Sequence, residues 1–310
     1  MPVVSAIVTT FNRADYLKKA IESVLNQTFT DFELLILDNS STDNTESVVK
    51  SFGDNRLRYI KHKPLGISQA RNLAVREATC KFISFLDDDD VWLPCKLEKQ
   101  LEVFEKGDKD LSLVYGGFIK IDATGKKVGI HKPVLRGNIL RELLWQKDDF
   151  TGSASNPMIK KSVIEDLGGY NEEVTTGEDW ELYLRLAEKD KIDFTSEFVA
   201  LIRTHSGPRL GYKLEESAQL EIMVLQRYSY IFDTAKRLKS FYNQKLGGKY
   251  IRIGQVRKGR SYILSAIRLN PINVVAYFQL FLSLLGKDLY CSVHKAYSVF
   301  RKKSVLIKLP

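Results

Sequence analysis

The stretch FISFLDDDDVW (residues 82–92) joins an apolar run to four consecutive aspartates. The apolar run predicts a buried strand, and burying even one unpaired carboxylate beside it is costly. A divalent cation would neutralise the cluster, because hard oxygen ligands suit Mg²⁺ and Mn²⁺. The alternative is a solvated acidic turn before a helix that starts near Pro94. The four aspartates alone do not decide between the two.

Short apolar runs alternate with amphipathic helical patterns on the N-terminal side of this stretch. Strands are predicted at 3–9, 32–37, 57–60 and 81–86, and helices at 16–25, 40–52 and 67–77. Such alternation predicts βαβ units, an α/β class and a Rossmann-like, mostly parallel sheet with flanking helices. Ligands of open sheets bind outside the carboxyl ends of the strands. We therefore expect Thr9-Thr10, Asp38 and the aspartates to lie on one rim.

A second acidic motif, GEDWELYLRL (177–186), follows further along the chain. Between the motifs, strands are predicted at 111–121, 128–130 and 156–159, and helices at 136–145 and 160–167. The apolar positions of the second motif indicate a mostly buried helix with Glu178 and Asp179 in its first turn. The helix dipole favours acidic side chains there, so a charged helix start is the alternative to a catalytic role. A last strand is predicted at 194–203.

Composition narrows the class of protein. Of the 310 residues, 44% are apolar and 27% are charged, as expected of a soluble globular protein. The three cysteines, Cys80, Cys95 and Cys291, lack CxxC spacing, which argues against a disulfide framework or a zinc site. Residues 1–5 carry no basic segment, so we expect no signal peptide and a cytoplasmic protein.

Charge divides the chain in two. From Lys213 to Pro310 there are 18 Lys or Arg against 5 Asp or Glu, a net charge of +13; the whole chain carries +9, which leaves −4 for the preceding part. Helical patterns occupy 214–230, 232–246, 251–269 and 272–285, and we expect Gly247-Gly248 to break the second from the third. We predict a catalytic domain at 1–210 and a basic, all-helical accessory region at 211–310.

The segment PINVVAYFQLFLSLLG (271–286) is nearly uncharged but too short to predict a membrane span. Basic residues follow it: Lys287, Lys295, Arg301, Lys302, Lys303 and Lys308. Such a segment could lie on an anionic membrane surface, at the inner face of the cell membrane. The alternative is packing of its apolar face in a small helical bundle.

Three motifs in this order resemble the family 2 glycosyltransferases of GT-A fold. They are SAIVTTFNRADYLKKAIESVLNQTFTDFELLILDNSSTDNT from Ser5, GISQARNLAV from Gly66 and FISFLDDDDVWLPCKL from Phe82. The resemblance covers about residues 3 to 210 and is specific because the motifs are ordered, whereas a lone DxD would be weak. It implies a GT-A catalytic domain and a nucleotide-diphosphate-sugar donor.

The resemblance implies a donor site on the predicted rim. Thr9 and Asp38 match positions that contact the base and ribose, and Asn12 is placed with them among the donor-binding residues. Arg71 matches a position near the base or phosphates of the donor. Family members often read LDDGSTD where this chain has LDNSSTD, so Asn39 keeps hydrogen-bonding capacity but loses a charge.

The aspartate cluster occupies the DxD position of the family. The resemblance places Asp87 nearest the ribose, Asp88 as a supporting donor-site residue and Asp89 as the preferred ligand of Mn²⁺ or Mg²⁺. Asp90 is expected to start a helix or support its neighbours rather than bind metal. Many family members carry a histidine in the region of His205 that approaches the metal. A loop histidine bonded to the backbone is the alternative for His205.

The motif GEDWELYLRL resembles the ED motif of the family, whose aspartate is the usual base in inverting members. An inverting transfer needs one carboxylate to take the proton of the attacking hydroxyl. We assign that role to Asp179, with Glu178 as the second candidate or as a residue that orients the acceptor. Residues 136–155 are expected to shape the acceptor site.

The sequence thus predicts a metal-dependent, inverting glycosyltransferase of hexosyltransferase type. On family grounds a UDP-sugar is the favoured donor, with GDP- and dTDP-sugars as alternatives. The expected acceptor is a glycan or lipid-linked hydroxyl in cell-surface polysaccharide or lipopolysaccharide synthesis. A nucleotidyltransferase should show a glycine-rich loop near the first strand, and TTFNRADY (9–16) has none. A non-catalytic basic binding protein would not need Asp179 together with a DxD. No nucleic-acid partner is expected, since no aromatic-basic RNA motif occurs.

Overall fold

The computed structural model describes residues 2–145, 150–204 and 213–296. Contacts divide the chain into two compact units, Met1–Pro208 and Arg209–Pro310. The predicted boundary between residues 210 and 211 lies outside the described residues, as does His205.

The first unit begins with parallel strands in the order β3-β2-β1-β4. The strands are β1 (Val4–Thr10), β2 (Phe32–Asp38), β3 (Leu57–Lys61) and β4 (Phe82–Asp87), and the intervening helices are α1 (Ala14–Leu25), α2 (Thr45–Lys50) and α3 (Ile67–Glu77). All seven residues of β2 are buried, which explains why its sequence is almost continuously apolar. The alternation predicted from sequence is therefore present, with β1 and β2 at the centre of the core.

Beyond β4 the sheet becomes mixed. The additional strands are β5 (Val91–Trp92), β6 (Leu111–Ile121), β7 (Lys127–His131), β8 (Met158–Lys160) and β9 (Lys191–Arg203), and the helices are α4 (Lys96–Lys106), α5 (Leu140–Trp145), α6 (Lys161–Asp166) and α7 (Glu178–Leu186). Strand β8 lies antiparallel between β4 and β6, while β9 runs parallel to β6 and antiparallel to β5. The sequence did not predict β5, because two residues are too few to show a period.

The second unit is helical. Its helices are α8 (Leu214–Arg227), α9 (Ser229–Thr234), α10 (Lys236–Ile253), α11 (Val256–Leu269) and α12 (Val274–Leu284), and residues 287–296 are also helical. The predicted break at Gly247-Gly248 is wrong, because α10 continues through both glycines to Gly254, whose φ is +101°. A Cβ at Gly247 would lie 2.5 Å from Cγ1 of Ile263, so this glycine allows α11 to approach closely.

Among the residues described, no helix is both long enough and apolar enough to cross a membrane.

Candidate active site

The carboxyl ends of β1, β2 and β4 bring the predicted donor-site residues to one rim. The register places Thr9 opposite Asp87 and Thr10 opposite Asp38. The main-chain N–H of Asn39 donates to the carbonyl of Thr10 (2.9 Å), which continues the pairing past the end of β2. Residues that are nearly 80 positions apart in sequence therefore share one edge of the sheet.

Asp38 and Asn12 shape the loop that follows β2. Asp38 is fully buried, and its carboxylate accepts hydrogen bonds from the N–H of Ser41 (2.8 Å) and the hydroxyl of Tyr59 (2.5 Å). Asn12 has a φ of +52°, and its side-chain oxygen accepts from the N–H of Thr42 (2.8 Å). In this structure both side chains therefore fix the backbone beside the predicted base and ribose position.

Asn39 links this loop to the start of α3. Its side-chain oxygen accepts from the N–H of Leu65 (2.8 Å), and its amide nitrogen donates to the carbonyl of Leu65 (3.2 Å). An aspartate would lack the donor for the second bond. The asparagine at this position is thus explained by a paired contact with the backbone.

Asp88 and Asp89 share a cation that the sequence analysis did not identify. Nη1 of Arg13 lies 3.0 Å from a carboxylate oxygen of each, and Thr10 donates its hydroxyl proton to Asp88 (2.8 Å). Burial raises the pKa of Asp88, and the hydrogen bond from Thr10 and the charge of Arg13 oppose that rise. The available signal in the sequence was a basic residue, Arg13, three positions after the end of the first strand.

Asp90 anchors the aspartate loop to a serine pair. Its carboxylate accepts hydrogen bonds from Ser153 (2.9 Å), Ser155 (2.6 Å) and the N–H of Arg203 (2.7 Å). The hydroxyl of Ser155 also accepts from the N–H of Asp87 (3.0 Å). Burial raises the pKa of Asp90 to about 6, despite these three donors. Ser153 and Ser155 are therefore structural parts of the site that sequence reasoning missed.

Trp92 packs beneath the loop. It is 2% exposed, and its indole N–H donates to the carbonyl of Ser155 (2.7 Å). The buried side-chain nitrogen of Lys96 lies 4.5 Å from the ring centroid and donates to the carbonyl of Asn156 (2.9 Å). Both contacts fix the backbone on which Ser155 is carried.

Arg71 connects the two acidic motifs. It is 3% exposed, and its guanidinium donates to Glu178 (2.7 Å) and to Asp179 and lies 3.7 Å from Asp87. The guanidinium also lies between the rings of Phe85 and Tyr170, with centroid distances of 5.6 and 5.4 Å. One buried cation therefore contacts carboxylates from the DxD position and from the start of α7.

The electrostatic balance at Asp179 favours a proton acceptor that works near neutral pH. Burial raises the pKa of Asp179 to about 6, the charge of Arg71 opposes the rise, and the neighbouring Glu178 adds to it. Burial and the charge of Asp90 raise the pKa of Asp87, again against the opposing effect of Arg71. Arg71 thus favours the ionised form of both carboxylates in an environment that disfavours their charge.

A metal ion bound here would need oxygen ligands from a bound substrate. Within residues 2–145, 150–204 and 213–296, no group of three or more His, Cys, Asp or Glu side chains is arranged to hold a metal ion. Thr10 and Arg13 engage Asp88, and serines engage Asp90. Asp87 and Asp89 are paired with Arg71 and Arg13, and their side chains are 36% and 13% exposed. Carboxylates and diphosphate oxygens together form a usual Mg²⁺ environment. The residues present thus fit a cation shared with a diphosphate.

Comparisons with known proteins agree with the motifs. The family described as Glycosyl transferase family 2 matches residues 5–168. An uncharacterized glycosyltransferase of Rickettsia felis is 30% identical over 209 residues, which are 66% of this chain and 35% of the relative. Another, from Methanocaldococcus jannaschii, is 33% identical over 208 residues, 65% of this chain and 71% of the relative. The chain therefore spans about a third of the Rickettsia protein.

One relative has a stated reaction. WfgD of Escherichia coli, a UDP-Glc:α-D-GlcNAc-diphosphoundecaprenol β-1,3-glucosyltransferase, is 38% identical over 117 residues. The aligned part is 37% of this chain and 46% of that enzyme.

Solved structures support the fold. Residues 1–349 of S. aureus TarS in complex with UDP-GlcNAc match with a TM-score of 0.64 and 15% identity, over 96% of this chain and 91% of that one. The mannosyltransferase PcManGT of Pyrobaculum calidifontis, in complex with GDP-Man and Mn²⁺, matches with a TM-score of 0.57 and 17% identity, over 99% and 85% of the two chains. The predicted GT-A fold with a C-terminal helical region is confirmed.

Proposed function

Because this chain belongs to glycosyl transferase family 2, we propose that it is an inverting glycosyltransferase that uses a nucleotide-diphosphate sugar. The donor is a UDP-sugar, and the acceptor is a hydroxyl of a glycan or lipid-linked saccharide in cell-surface polysaccharide or lipopolysaccharide synthesis. The UDP-Glc donor and diphosphoundecaprenol acceptor of the E. coli relative support this choice.

The observation that carries the proposal is the position of Arg71 between two acidic motifs. Glu178 and Asp179 begin α7, and Asp87 ends β4, yet all three lie within 4 Å of the same guanidinium. A sugar transferase needs a donor-binding carboxylate next to a base, since both act on groups attached to one anomeric carbon. If Glu178 and Asp179 only started a helix, the aspartate motif at the end of β4 would not need to lie beside them.

The acceptor proton is transferred to Asp179 as the acceptor oxygen attacks the anomeric carbon and the bond to the diphosphate breaks. With a pKa near 6, Asp179 is ionised at pH 7 and still basic enough to take a proton. Glu178 orients the acceptor hydroxyl, and Arg71 keeps Asp179 ionised and in place. One displacement inverts the anomeric configuration.

Donor binding is assigned to the rim. Thr9, Asn12 and Asp38 hold the base and ribose side, and Asp87 and Asp88 lie next to the ribose and diphosphate. Arg71 is also assigned to the donor site, near the base or phosphates. Asp89 would be the protein ligand of a bound Mn²⁺ or Mg²⁺, and such an ion would supply positive charge to the leaving diphosphate. His205 stays a predicted second ligand. We place the enzyme in the cytoplasm, with its basic helices at the inner face of the membrane.

A panel of nucleotide sugars, scored by thermal shift with and without Mn²⁺, tests donor binding. A donor that binds only the folded state raises Tm by mass action. We expect a UDP-sugar to raise Tm more with Mn²⁺ than without it, and Asp89→Asn to remove the Mn²⁺-dependent part. Glu165→Gln, on the exposed side of α6, is the matched control.

Product analysis by NMR then tests the transfer itself. The product should carry the anomeric configuration opposite to that of the donor. If no nucleotide sugar stabilises the protein, or if the product retains the donor configuration, the proposed reaction is wrong.

A further inference from the structure

The outer side of α12 is an exposed apolar surface. We call it the outer apolar face; it consists of five residues of α12 and the residue that caps the helix, namely Val274, Tyr277, Phe278, Phe281, Leu284 and Leu285. Phe278 and Phe281 are 53% and 57% exposed, and Val274 is 76% exposed. Helix α12 contains no charged residue. Since large apolar patches on soluble proteins mark interaction sites, this face needs a partner.

The opposite side of α12 is already packed. Ala276 and Ser283 are fully buried, and the guanidinium of Arg260 in α11 donates from Nε to the hydroxyl of Ser283 (3.1 Å). Ala276 belongs to a core cluster with Ile251 and Ile263. The helical-bundle packing considered from sequence thus accounts for one side of α12 and leaves the outer apolar face uncovered among the described residues.

The basic residues of the segment that contains α12 indicate which kind of partner would bind this face. From Ile251 to Ala296, seven residues are Lys or Arg and one, Asp288, is acidic. Lys287 and Lys295, in the helical segment that follows α12, are exposed. An apolar helix face with basic neighbours matches a bilayer surface that contains anionic lipids, where both the acyl region and the headgroups contribute to binding. A second copy of the chain would instead oppose two positive surfaces.

The length of α12 sets its orientation at a bilayer. Eleven residues make a helix of about 16 Å, roughly half the ~30 Å of a hydrocarbon core. A helix of this length lies in the plane of the interface. Phe278 and Phe281, near its middle, would reach the boundary between headgroups and acyl chains.

We infer that the outer apolar face of α12 inserts into the surface of an anionic membrane and holds the second unit there. The inference specifies the membrane contact of the proposed function, but it does not depend on the transfer chemistry. Vesicle binding without donor or acceptor therefore tests it independently. Absence of vesicle binding would remove the proposed membrane placement but not the transfer reaction, and absence of transfer would leave the membrane inference intact.

Co-sedimentation of the full chain with lipid vesicles is the first measurement. We expect binding to phosphatidylglycerol-containing vesicles that weakens in high salt, and much weaker binding to pure phosphatidylcholine. The double variant Phe278→Ser, Phe281→Ser should lower the partition coefficient by at least about tenfold, because it removes two aromatic side chains that insertion would bury in the bilayer. Tyr230→Ser, at a residue of α9 that is 62% exposed, should change it less than about twofold.

A second variant keeps the test independent of folding. Phe278→Trp should show blue-shifted fluorescence on vesicle addition and quenching by brominated lipid tails, relative to the unsubstituted chain. Absence of vesicle binding, equal binding by the double variant, or no quenching at position 278 overturns the inference. So does a double variant that changes only the oligomeric mass in solution, since the partner would then be a second copy.

Discussion

Replacing Arg71 with methionine removes the cation that Asp87, Glu178 and Asp179 share. The side chains of Glu178 and Asp179 are 12% and 22% exposed, so their charges are poorly solvated once the guanidinium is gone. Removing one partner of a buried ion pair costs about 3–5 kcal/mol of folding free energy. We expect about 3 kcal/mol at pH 7, the lower end, because Asp87 is about a third exposed and the carboxyls can take up protons.

The loss of stability should depend on pH. Arg71 lowers the pKa of Asp179, so in the variant that pKa rises beyond about 6. A carboxyl whose folded-state pKa lies above its unfolded value stabilises the fold at low pH, and that contribution is lost as pH rises through the folded pKa. The deficit of Arg71→Met relative to the unsubstituted protein should therefore be larger at pH 8 than at pH 5, by about 1.4 kcal/mol for each further unit of pKa.

Urea unfolding followed by tryptophan fluorescence measures this deficit. All three tryptophans lie in the first unit, so the signal reports on the unit that contains Arg71. Arg76→Met, an exposed arginine in the last turn of the same helix, is the control. A deficit that is the same at pH 5 and pH 8, or no larger than that of the control, would refute the reasoning.

Three further outcomes are expected. Ser155→Ala should lower the free energy of unfolding by about 2 kcal/mol and weaken donor binding, because it removes a hydrogen bond to the carboxylate of Asp90. Ser51→Ala, at the exposed end of α2, should change neither quantity. Urea titration measures the stability and thermal shift measures donor binding. Gly247→Ala should destabilise the second unit by about 1–3 kcal/mol, because the added methyl group overlaps α11, and should therefore lower its Tm measured by circular dichroism. Ser261→Ala should leave this Tm unchanged. Asp179→Asn should become more stable than the unsubstituted protein as pH rises from 4 to 7, because the raised pKa of Asp179 makes its charge unfavourable to folding. The gain should be at most about 3 kcal/mol at pH 7. Parallel curves of Tm against pH for the two proteins would contradict this.

The placement of the rim residues could be read from sequence because it follows from chain direction. Asp38 and Asp87 each end a strand of one parallel sheet, and Thr9 is the penultimate residue of the strand between them. The carboxyl ends of these strands therefore lie together, independently of the side-chain contacts. The family and the GT-A fold were predicted from the same order of motifs and are confirmed by the match to residues 5–168 and by the structural similarity to TarS.

The contacts that hold the site together were not predictable in the same way. Asp90 meets Ser153 and Ser155 across more than 60 positions, and Arg13 meets Asp88 across 75. Short polar residues in loops carry no periodic signal that would reveal such pairing. The catalytic, donor-binding and metal roles of the site residues remain predictions.

The predicted helix break at Gly247-Gly248 in the second unit was wrong for a related reason. A Gly-Gly pair usually indicates a helix break, because glycine is a poor helix former. Here α10 passes through Gly247 and Gly248 because their missing side chains admit α11 and Tyr290. Tertiary packing therefore outweighed local propensity, and only the structure reveals the neighbours that require it.

The most direct test of the account is turnover by Asp179→Asn with the donor identified by the nucleotide-sugar panel. Asparagine keeps the shape of the side chain but cannot take the acceptor proton. We predict that kcat falls by about 10²- to 10⁴-fold while the donor Kd changes less than about threefold, and that Asp166→Asn, on the exposed part of α6, retains full activity. A kcat within about tenfold of the unsubstituted enzyme, with donor binding intact, would contradict the assignment of Asp179 as the base.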